Sequence, residues 1–331
     1  FKELIAAQRE VLVKNEFDRI YTTAGASGMN AFTSNDMTGY FITVPSNKLE
    51  LWAWMESERL LRPVFREFYA ERDVVFEERR MRTESTPLGK FQESLEAMFW
   101  ESHPYSWPVI GWPSDIPAIS KAQADEFYAL HYAPQNITLI LVGDFKADEA
   151  AKLCERYFER IPRGKRNPPE VVTEEMPQIA EKRMNAEAEA NPQVDILWHT
   201  PAAGHPDTHA LEVLSAVLGG RSGRVHKALV LGNEVATSAF APQMGRKYAG
   251  MFNIGGEAKE PKTPGDVEAA IYGEIERLKN EPVSARELQK VKNNFAAMAV
   301  RRGASNFNML VQLIQYEGGG DWRSINTEIP S

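Results

Sequence analysis

Residues 162–177 divide the chain into two halves that repeat a similar order of strand and helix patterns. This segment, PRGKRNPPEVVTEEMP, mixes prolines with charges and has no hydrophobic period, which is typical of a linker. A chain of 331 residues is long enough for two halves to bury separate cores. We therefore predict an α+β protein with two similar α/β sandwich domains, residues 1–165 and 166–331. Each domain is expected to be a largely antiparallel sheet covered by helices.

Hydrophobic patterning predicts the individual elements. The stretches that read as strands or hairpins are residues 29–45, 136–145, 194–200, 234–243 and 248–258. A mixed-charge helical pattern covers residues 3–22, and amphipathic stretches between the strands read as further helices. Two of these helices start with capping boxes, one formed by Ser120 with Gln123 and the other by Ser284 with Glu287.

Charge and composition narrow the classes of partner. The formal net charge is −8, and the basic residues are interleaved with acidic ones, which argues against nucleic acid as a partner. No run approaches the roughly 18 apolar residues of a membrane helix. The single cysteine, Cys154, excludes an intrachain disulfide and a thiolate metal cluster, so a metal would have to use His, Asp or Glu. Cysteine usage says little about the compartment.

The stretch ERDVVFEERRMR, residues 71–82, carries the strongest local signal. On a helix Glu71, Val74, Val75 and Glu78 share one face, because residues advance about 100° each. The valines predict that this face is buried, and buried carboxylates need a cation or several donors. A metal ion is one such cation. The alternative is a solvated helix in which Glu78 pairs with Arg82.

Other candidate sites give weaker signals. No histidine belongs to an HExxH or HxxEH motif, and His205 and His209 flank what looks like a helix N-terminus, which disfavours a zinc site there. His103, in HPYSW, fits substrate contact and loop packing equally well. The stretch GGRSGR, residues 219–224, reads as a packing turn rather than a phosphate loop. Cys154 falls inside an amphipathic helix and reads as a core residue.

Taken in order, these segments resemble the pitrilysin and insulinase family of zinc metallopeptidases, the inverzincins named for their HxxEH motif. The family's second signature, two glutamates seven residues apart on a helix, matches residues 71–78. The other matching stretches are NAFTSNDMTGYF, HPYSWPVIGWPSDI, FYALHYAPQNITLILVGDF, LSAVLGGRSGRVHKALV and ELQKVKNNF. The resemblance covers nearly the whole chain and implies the processing-peptidase-like fold.

The resemblance also implies roles for particular residues. Glu78 corresponds to the glutamate that ligates the single zinc ion of each active site, and Glu71 to the acid behind it that orients the site. NAFTS resembles the family's substrate-binding edge strand, onto which a peptide adds as a further strand. The residues expected to contact the substrate are Asn30, Ala31, Phe32, Thr33, His103 and Tyr105.

Two departures from the family pattern matter. HxxEH, which supplies two histidine ligands and the general base, is absent from the sequence and would precede Phe1 in the family order. Both ends look like cuts, so we expect a fragment that does not hold catalytic zinc by itself. The positions matching the family's substrate-holding arginine and tyrosine are Val230 and Thr237, and neither can donate as those residues do.

The leading hypothesis is a zinc-dependent endopeptidase that hydrolyses peptides or small unfolded proteins in a chamber between its domains. The fragment itself would be inactive. The alternative is a non-catalytic peptide-binding or scaffold subunit of the same family that pairs with another chain. Expected partners are peptide substrates and a second homologous half, within a homo- or heterodimer or the same protein. A site for another divalent metal would need more oxygen ligands than the helix supplies. A bacterial periplasmic or other extracytoplasmic location is favoured over the cytoplasm.

Overall fold

The computed structural model describes residues 15–326, together with Ala7. Their contacts define two compact units, which we call unit 1 and unit 2. Unit 1 contains the chain up to Glu71 and residues 119–170, and unit 2 contains residues 72–118 and 171–331.

The fold is a mixture of helices and antiparallel sheets, so the predicted α+β class is confirmed. The division into domains 1–165 and 166–331 stays a prediction. Of the predicted helix over residues 3–22, the part before residue 15 falls outside the described residues except for Ala7. Within the part of the chain that the structure describes, no helix is both long enough and apolar enough to span a bilayer.

The helices and strands follow one another along the chain with short 3₁₀ and π turns between some of them. They are α1 Glu16–Thr23, β1 Ser27–Thr33, β2 Thr38–Thr43, α2 Leu49–Leu61, α3 Phe68–Arg79, α4 Gly89–Phe99, α5 Lys121–His131, α6 Ala147–Phe158, β3 Gln193–Thr200, α7 Asp207–Leu218, a short helix Arg224–His226, β4 Ala236–Phe240, β5 Gln243–Met244, β6 Gly250–Ala258, α8 Pro264–Asn280, α9 Ala285–Gly303 and α10 Asn306–Gly319. The 3₁₀ turns are Ser46–Lys48, Pro104–Ser106, Ile116–Ala118, Pro134–Asn136 and Trp322–Asn326, and the π turns are Arg80–Glu84 and Lys227–Gly232.

Unit 1 combines a β-hairpin with helices. The alternating stretch predicted as a strand or hairpin forms β1 and β2, which pair antiparallel with Thr33 opposite Thr38. Helix α2 packs against α6. Beyond the end of α6, Arg160 donates from Nη2 to Ser57 Oγ at 2.9 Å. The buried Tyr21 of α1 donates its hydroxyl to Glu56 at 2.8 Å, which fixes α1 against α2.

The strand predicted within residues 136–145 is not formed. Residues 137–142 carry no strand assignment. A strand is stabilised by the hydrogen-bond ladder to its neighbour, and no strand among the described residues pairs with this segment. The prediction of a strand from the apolar pattern of this segment is therefore wrong.

Unit 2 is built on an antiparallel sheet in the order β3-β6-β4, with β5 also paired to β6. The strands predicted at residues 194–200, 234–243 and 248–258 are confirmed. One face of this sheet and helices α7 and α8 enclose the main core. Its members include Val194, Ile196, Trp198, Leu211, Leu214, Leu218, Phe252, Ile254, Val267 and Ile271.

Local sequence signals set several boundaries in the chain. Both predicted capping boxes are present, at Ser120 before α5 and at Ser284 before α9. GGRSGR forms a packing turn, as predicted, because Arg224 donates two hydrogen bonds to Glu287 at 2.9 Å each. A Cβ atom at Gly223 would lie 2.0 Å from the carbonyl oxygen of Gly219, so only glycine fits this turn.

Helix α3 buries a different face from the one predicted. Val74 and Val75 are 58% and 37% exposed, so the prediction that the face of Glu71, Val74, Val75 and Glu78 is buried is wrong for this chain. The inward side is formed by the half-buried Arg72 and Phe76 and the buried Arg79, followed by the buried Thr83 in the π turn, each one helical turn from the last.

The buried Arg79 explains this rotation. It is 2% exposed, and its guanidinium donates to both carboxylate oxygens of Glu93 at 2.5 and 2.8 Å and to the Gly111 carbonyl oxygen at 2.9 Å. A planar guanidinium facing a carboxylate makes the strongest kind of side-chain pair in proteins. The hydrogen bonds that Arg79 donates to Glu93 raise the pKa of Arg79 above its ordinary value, so the arginine stays charged although burial opposes this.

We expect Arg79→Met to lower the free energy of unfolding by about 3–5 kcal/mol, because it leaves the Glu93 carboxylate without its cation. The matched control is Arg82→Met, which removes the exposed partner of Glu78 and should change the free energy by less than about 1 kcal/mol. Urea unfolding of both variants measures the difference. Equal effects would contradict the anchoring role of Arg79.

Gly223→Ala should destabilise the protein by about 1–3 kcal/mol, because the new methyl group overlaps main-chain oxygen atoms. Gly273→Ala, in the middle of α8 with open space around the glycine, is the control and should stabilise by about 0.5–1 kcal/mol. The midpoints of thermal unfolding of the two variants should shift in opposite directions from that of the wild type. Shifts of the same sign would count against the crowded turn.

Candidate metal and peptide-binding site

The two glutamates of the family signature lie on the exposed face of α3. Glu71 is exposed, and the side chain of Glu78 is 38% exposed. Glu78 Oε1 lies 2.9 Å from Arg82 Nη2, so the salt bridge between them is the arrangement that this structure contains. Val74 and Val75 lie between the glutamates on the same face. The face is therefore an apolar pair bounded by two carboxylates, held outward by Arg79.

The side chains that the structure describes do not by themselves fit a zinc ion. Catalytic zinc takes three protein ligands and leaves one position open. Across the described residues, no group of three or more His, Cys, Asp or Glu side chains is close enough to hold a metal. Glu78 could supply one carboxylate oxygen, and any further ligands would have to come from elsewhere.

The histidines and the cysteine considered from the sequence are not assembled into a site. His205 lies just before α7, where its Nδ1 accepts the Asp207 N–H at 3.1 Å, so His205 and His209 do not share a helix face. Cys154 is half-buried within α6, and burial raises the pKa of its thiol. A raised thiol pKa leaves little thiolate to act as a nucleophile.

The four residues of the predicted substrate strand lie in β1. Among the described residues β1 pairs only with β2, so its other edge has no strand partner there. Its side chains are exposed except for the half-buried Phe32. The Ala31 N–H is hydrogen-bonded to Asn30 Oδ1 at 2.8 Å, within the same strand. Asn30, Ala31 and Thr33 are thus accessible on a strand edge.

His103 and Tyr105 lie in the loop after α4 and are 2% and 3% exposed. His103 Nδ1 accepts the Tyr105 N–H at 3.1 Å, and the Tyr105 hydroxyl accepts the Tyr248 N–H at 3.2 Å. The Arg246 guanidinium carbon lies 5.1 Å from the centre of the Tyr105 ring. These contacts are those of a packed loop, one of the two interpretations of His103, and its substrate-contact role stays a prediction.

Val230 and Thr237, the positions that match the family's arginine and tyrosine, lie in different surroundings. Val230 packs against the main core of unit 2, within the π turn. Thr237 is exposed on β4, and its hydroxyl donates to Glu257 at 2.8 Å. An apolar side chain packed in the core cannot hold a substrate carbonyl, so Val230 does not replace the arginine.

Sequence reasoning missed two carboxylates that organise unit 2. Glu93 lies 14 residues beyond Arg79, and no local pattern connects the two residues. Glu175 lies inside the predicted linker. Its carboxylate accepts N–H groups from three consecutive residues, Glu101, Ser102 and His103, at 2.8, 3.2 and 2.9 Å. A main-chain contact of this kind leaves no pattern in a sequence.

Comparison with known proteins gives the following relationships. The family model described as Peptidase M16 inactive domain matches residues 118–295. A zinc protease of Helicobacter pylori, PqqE, is 30% identical over 86% of this chain, and the chain spans 65% of that relative's length.

Solved structures give the same relationship. The crystal structure of a protease from Helicobacter pylori superposes with a TM-score of 0.87 at 27% identity, over 96% of this chain and 78% of that one. The first half of the periplasmic protease PqqL of Escherichia coli superposes with a TM-score of 0.71 at 19% identity, over 91% of this chain and 68% of that one, which shows a shared fold. The family resemblance seen in the sequence is confirmed, and the chain belongs to the peptidase M16 family.

Proposed function

We propose that the protein carrying this chain is a zinc-dependent endopeptidase that hydrolyses peptides or small unfolded proteins. In this proposal Glu78 supplies one zinc ligand and Glu71 lies behind it and orients the site. The two histidine ligands and the general base belong to a part of the protein outside this chain, or to a partner chain. The chain alone would be inactive.

One observation carries the proposal. Helix α3 turns two carboxylates and two valines outward and holds them there with a buried arginine pair. An exposed apolar pair is unfavourable in water and favours contact with another surface. The relative named as a zinc protease and the M16 family membership support the view that this surface is a ligand-bearing helix.

The peptide substrate is proposed to bind along the open edge of β1. Strand addition uses main-chain hydrogen bonds and therefore accepts varied side chains. The accessible Asn30, Ala31 and Thr33 would line the bound peptide, and the half-buried Phe32 would keep the strand in place. His103 and Tyr105, in the loop after α4, are proposed as further substrate contacts.

The second candidate is a non-catalytic subunit that binds peptides or a catalytic partner. The family model that matches residues 118–295 is described as an inactive domain, which favours this candidate. So does the core position of Val230. The pair of exposed carboxylates on α3 favours the peptidase, because a scaffold has no physical need for them. In either case a second homologous half or chain is the proposed partner.

An extracytoplasmic location is proposed for the protein. The solved Escherichia coli relative of similar fold is described as a periplasmic protease, and this supports the proposal.

For the full-length protein we expect a peptidase activity that a chelator removes and added zinc restores. Glu78→Gln should lower kcat/KM by about 100-fold or more, because an amide oxygen is a weaker zinc ligand than a carboxylate. Glu71→Gln should lower it by about 10- to 100-fold, as expected for a residue that orients a ligand.

The matched control is Glu77→Gln, which removes the neighbouring exposed carboxylate that pairs with Arg80. Its activity should equal that of the wild type. If full-length protein with bound zinc cleaves no peptide in a mixed library, the scaffold candidate replaces the peptidase. If Glu78→Gln and wild type are equally active, Glu78 has no part in the site.

Strand addition on β1 predicts a separate result. Ala31→Pro removes a main-chain N–H that β2 does not use, because that N–H is bonded to Asn30. Peptide affinity should fall at least about tenfold, the loss of one to two main-chain hydrogen bonds. Ala31→Val keeps the N–H and should bind normally. Titration of an inactive Glu78→Gln background with a labelled peptide measures both, and equal affinities would exclude this edge.

A further inference from the structure

Residues 171–182, which we call the strap, run across the end of α4 in unit 2. The strap belongs to the long irregular stretch between α6 and β3. Two of its side chains attach it to α4 and the loop that follows. The Glu175 carboxylate accepts the N–H groups of Glu101, Ser102 and His103, and Lys182 Nζ donates to the Met98 carbonyl oxygen at 2.9 Å.

Ser102, in the loop that follows α4, makes the remaining hydrogen bonds to the strap. Ser102 Oγ donates to the Glu174 carbonyl oxygen at 2.7 Å and accepts the Met176 N–H at 2.9 Å. The loop and the strap therefore exchange hydrogen bonds in both directions. Burial raises the pKa of Glu175, but the N–H groups of Glu101, His103 and Ser102, with a smaller effect of the His199 charge, outweigh burial, so its pKa lies below its ordinary value. The carboxylate therefore stays charged well into the acid range.

Two imidazoles, those of His199 and His103, lie against the same loop. His199, on β3, stacks on Phe99 with ring centres 3.9 Å apart and meets Trp100 edge-on at 5.2 Å. Both of its ring nitrogens are shielded from solvent. His103 accepts the Tyr105 N–H at Nδ1, and protonation of that nitrogen would remove the bond.

The charged groups around His199 do not cancel the effect of burial. Burial lowers the pKa of His199, the Glu175 carboxylate raises it, the Lys182 ammonium lowers it, and the main chain of Phe99 raises it. The net direction is downward. Arg246 lies on the aromatic rings of Trp100 and Tyr105 and near Glu96, so a further positive charge borders the cluster.

We propose that the strap, the loop of Glu101, Ser102 and His103, and the two imidazoles form a pH-sensitive latch. At neutral pH the His199 imidazole, whose two ring nitrogens are buried, is uncharged and the strap is held. On mild acidification a protonated His199 must leave its stack on Phe99 to reach water. The loop then loosens and the strap detaches, while Glu175 keeps its charge.

Proton linkage sets how the opening of the latch depends on pH. The opened state takes up a proton near the ordinary histidine pKa of about 6.5, whereas the closed state takes it up only at lower pH. Closure is therefore fully favoured above pH 6.5 and weakens as the pH falls below that value. Each proton taken up on opening changes the opening equilibrium by about tenfold per pH unit.

Amide hydrogen exchange of the full chain reads this equilibrium directly. The reporting amides are those of Glu101, Ser102, His103 and Met176, which make the latch bonds. After correction for intrinsic exchange, their protection should fall by about tenfold between pH 7.5 and pH 5.5. Protection within α8, which belongs to the main core, should stay constant.

Variants separate the histidines from the rest of the fold. The double variant His199→Phe with His103→Asn keeps the ring stack and an acceptor for Tyr105 but titrates at neither site, so its protection should change less than about twofold. His209→Gln, on the exposed side of α7, should behave like the wild type. Unchanged protection in the wild type, an undiminished fall in the double variant, or a fall of equal size in α8 would each overturn the latch.

A second variant keeps the test decisive if the double variant does not fold. Glu175→Gln removes the charge that three N–H groups share, so protection of the loop amides at pH 7.5 should fall by at least about tenfold. No change in these amides would show that the carboxylate does not hold the strap. The result is independent of zinc binding and peptidase activity.

Discussion

The Arg79 and Glu93 pair decides how helix α3 is turned, and much of unit 2 depends on that rotation. A helix with valines on one side and charges on the other is expected to bury its valines. Here a buried guanidinium with three acceptor contacts outweighs that preference, because a charge placed inside must keep its partner. The face opposite Arg79 is then forced outward. As a consequence of this pairing the carboxylates of the family signature face outward, Glu71 exposed and Glu78 half-buried.

The sheet of unit 2 shows a second use of buried polar contacts. Its apolar face packs on α7 and α8, while residues Leu197, Met244 and Met251 on its other side pack against Phe99, Trp100 and Tyr105. The loop after α4 thus fills a position that another helix could fill. Because a loop has free main-chain N–H groups, it needs acceptors there, and Glu175 provides one carboxylate for three of them.

Much of the architecture could be predicted from the sequence, and the failures have common causes. Capping boxes at Ser120 and Ser284 are local, so a few residues suffice to identify them. Strands β3 and β6 carry their own apolar pattern. Residues 137–142 have the same kind of pattern, yet a strand also needs a neighbour, which no single stretch of sequence reveals. The partners of Arg79 and Glu175 lie 14 and 72 or more residues away, and a charge gives no sign of its distant partner. The roles of Glu71 and Glu78 rest on family resemblance for the same reason.

The bond between Ala31 and the side chain of Asn30 has a consequence for solubility. An open strand edge invites other chains to pair with it, and proteins commonly blunt such edges to avoid aggregation. On β1 the amide that an incoming strand would need is already satisfied by the residue beside it. A chain that pairs with this edge by chance must break that hydrogen bond before it forms one of its own. A peptide that makes several further contacts compensates for this loss. The Asn30 side chain thereby disfavours weak, non-specific pairing on this edge while still permitting a peptide that binds through several contacts.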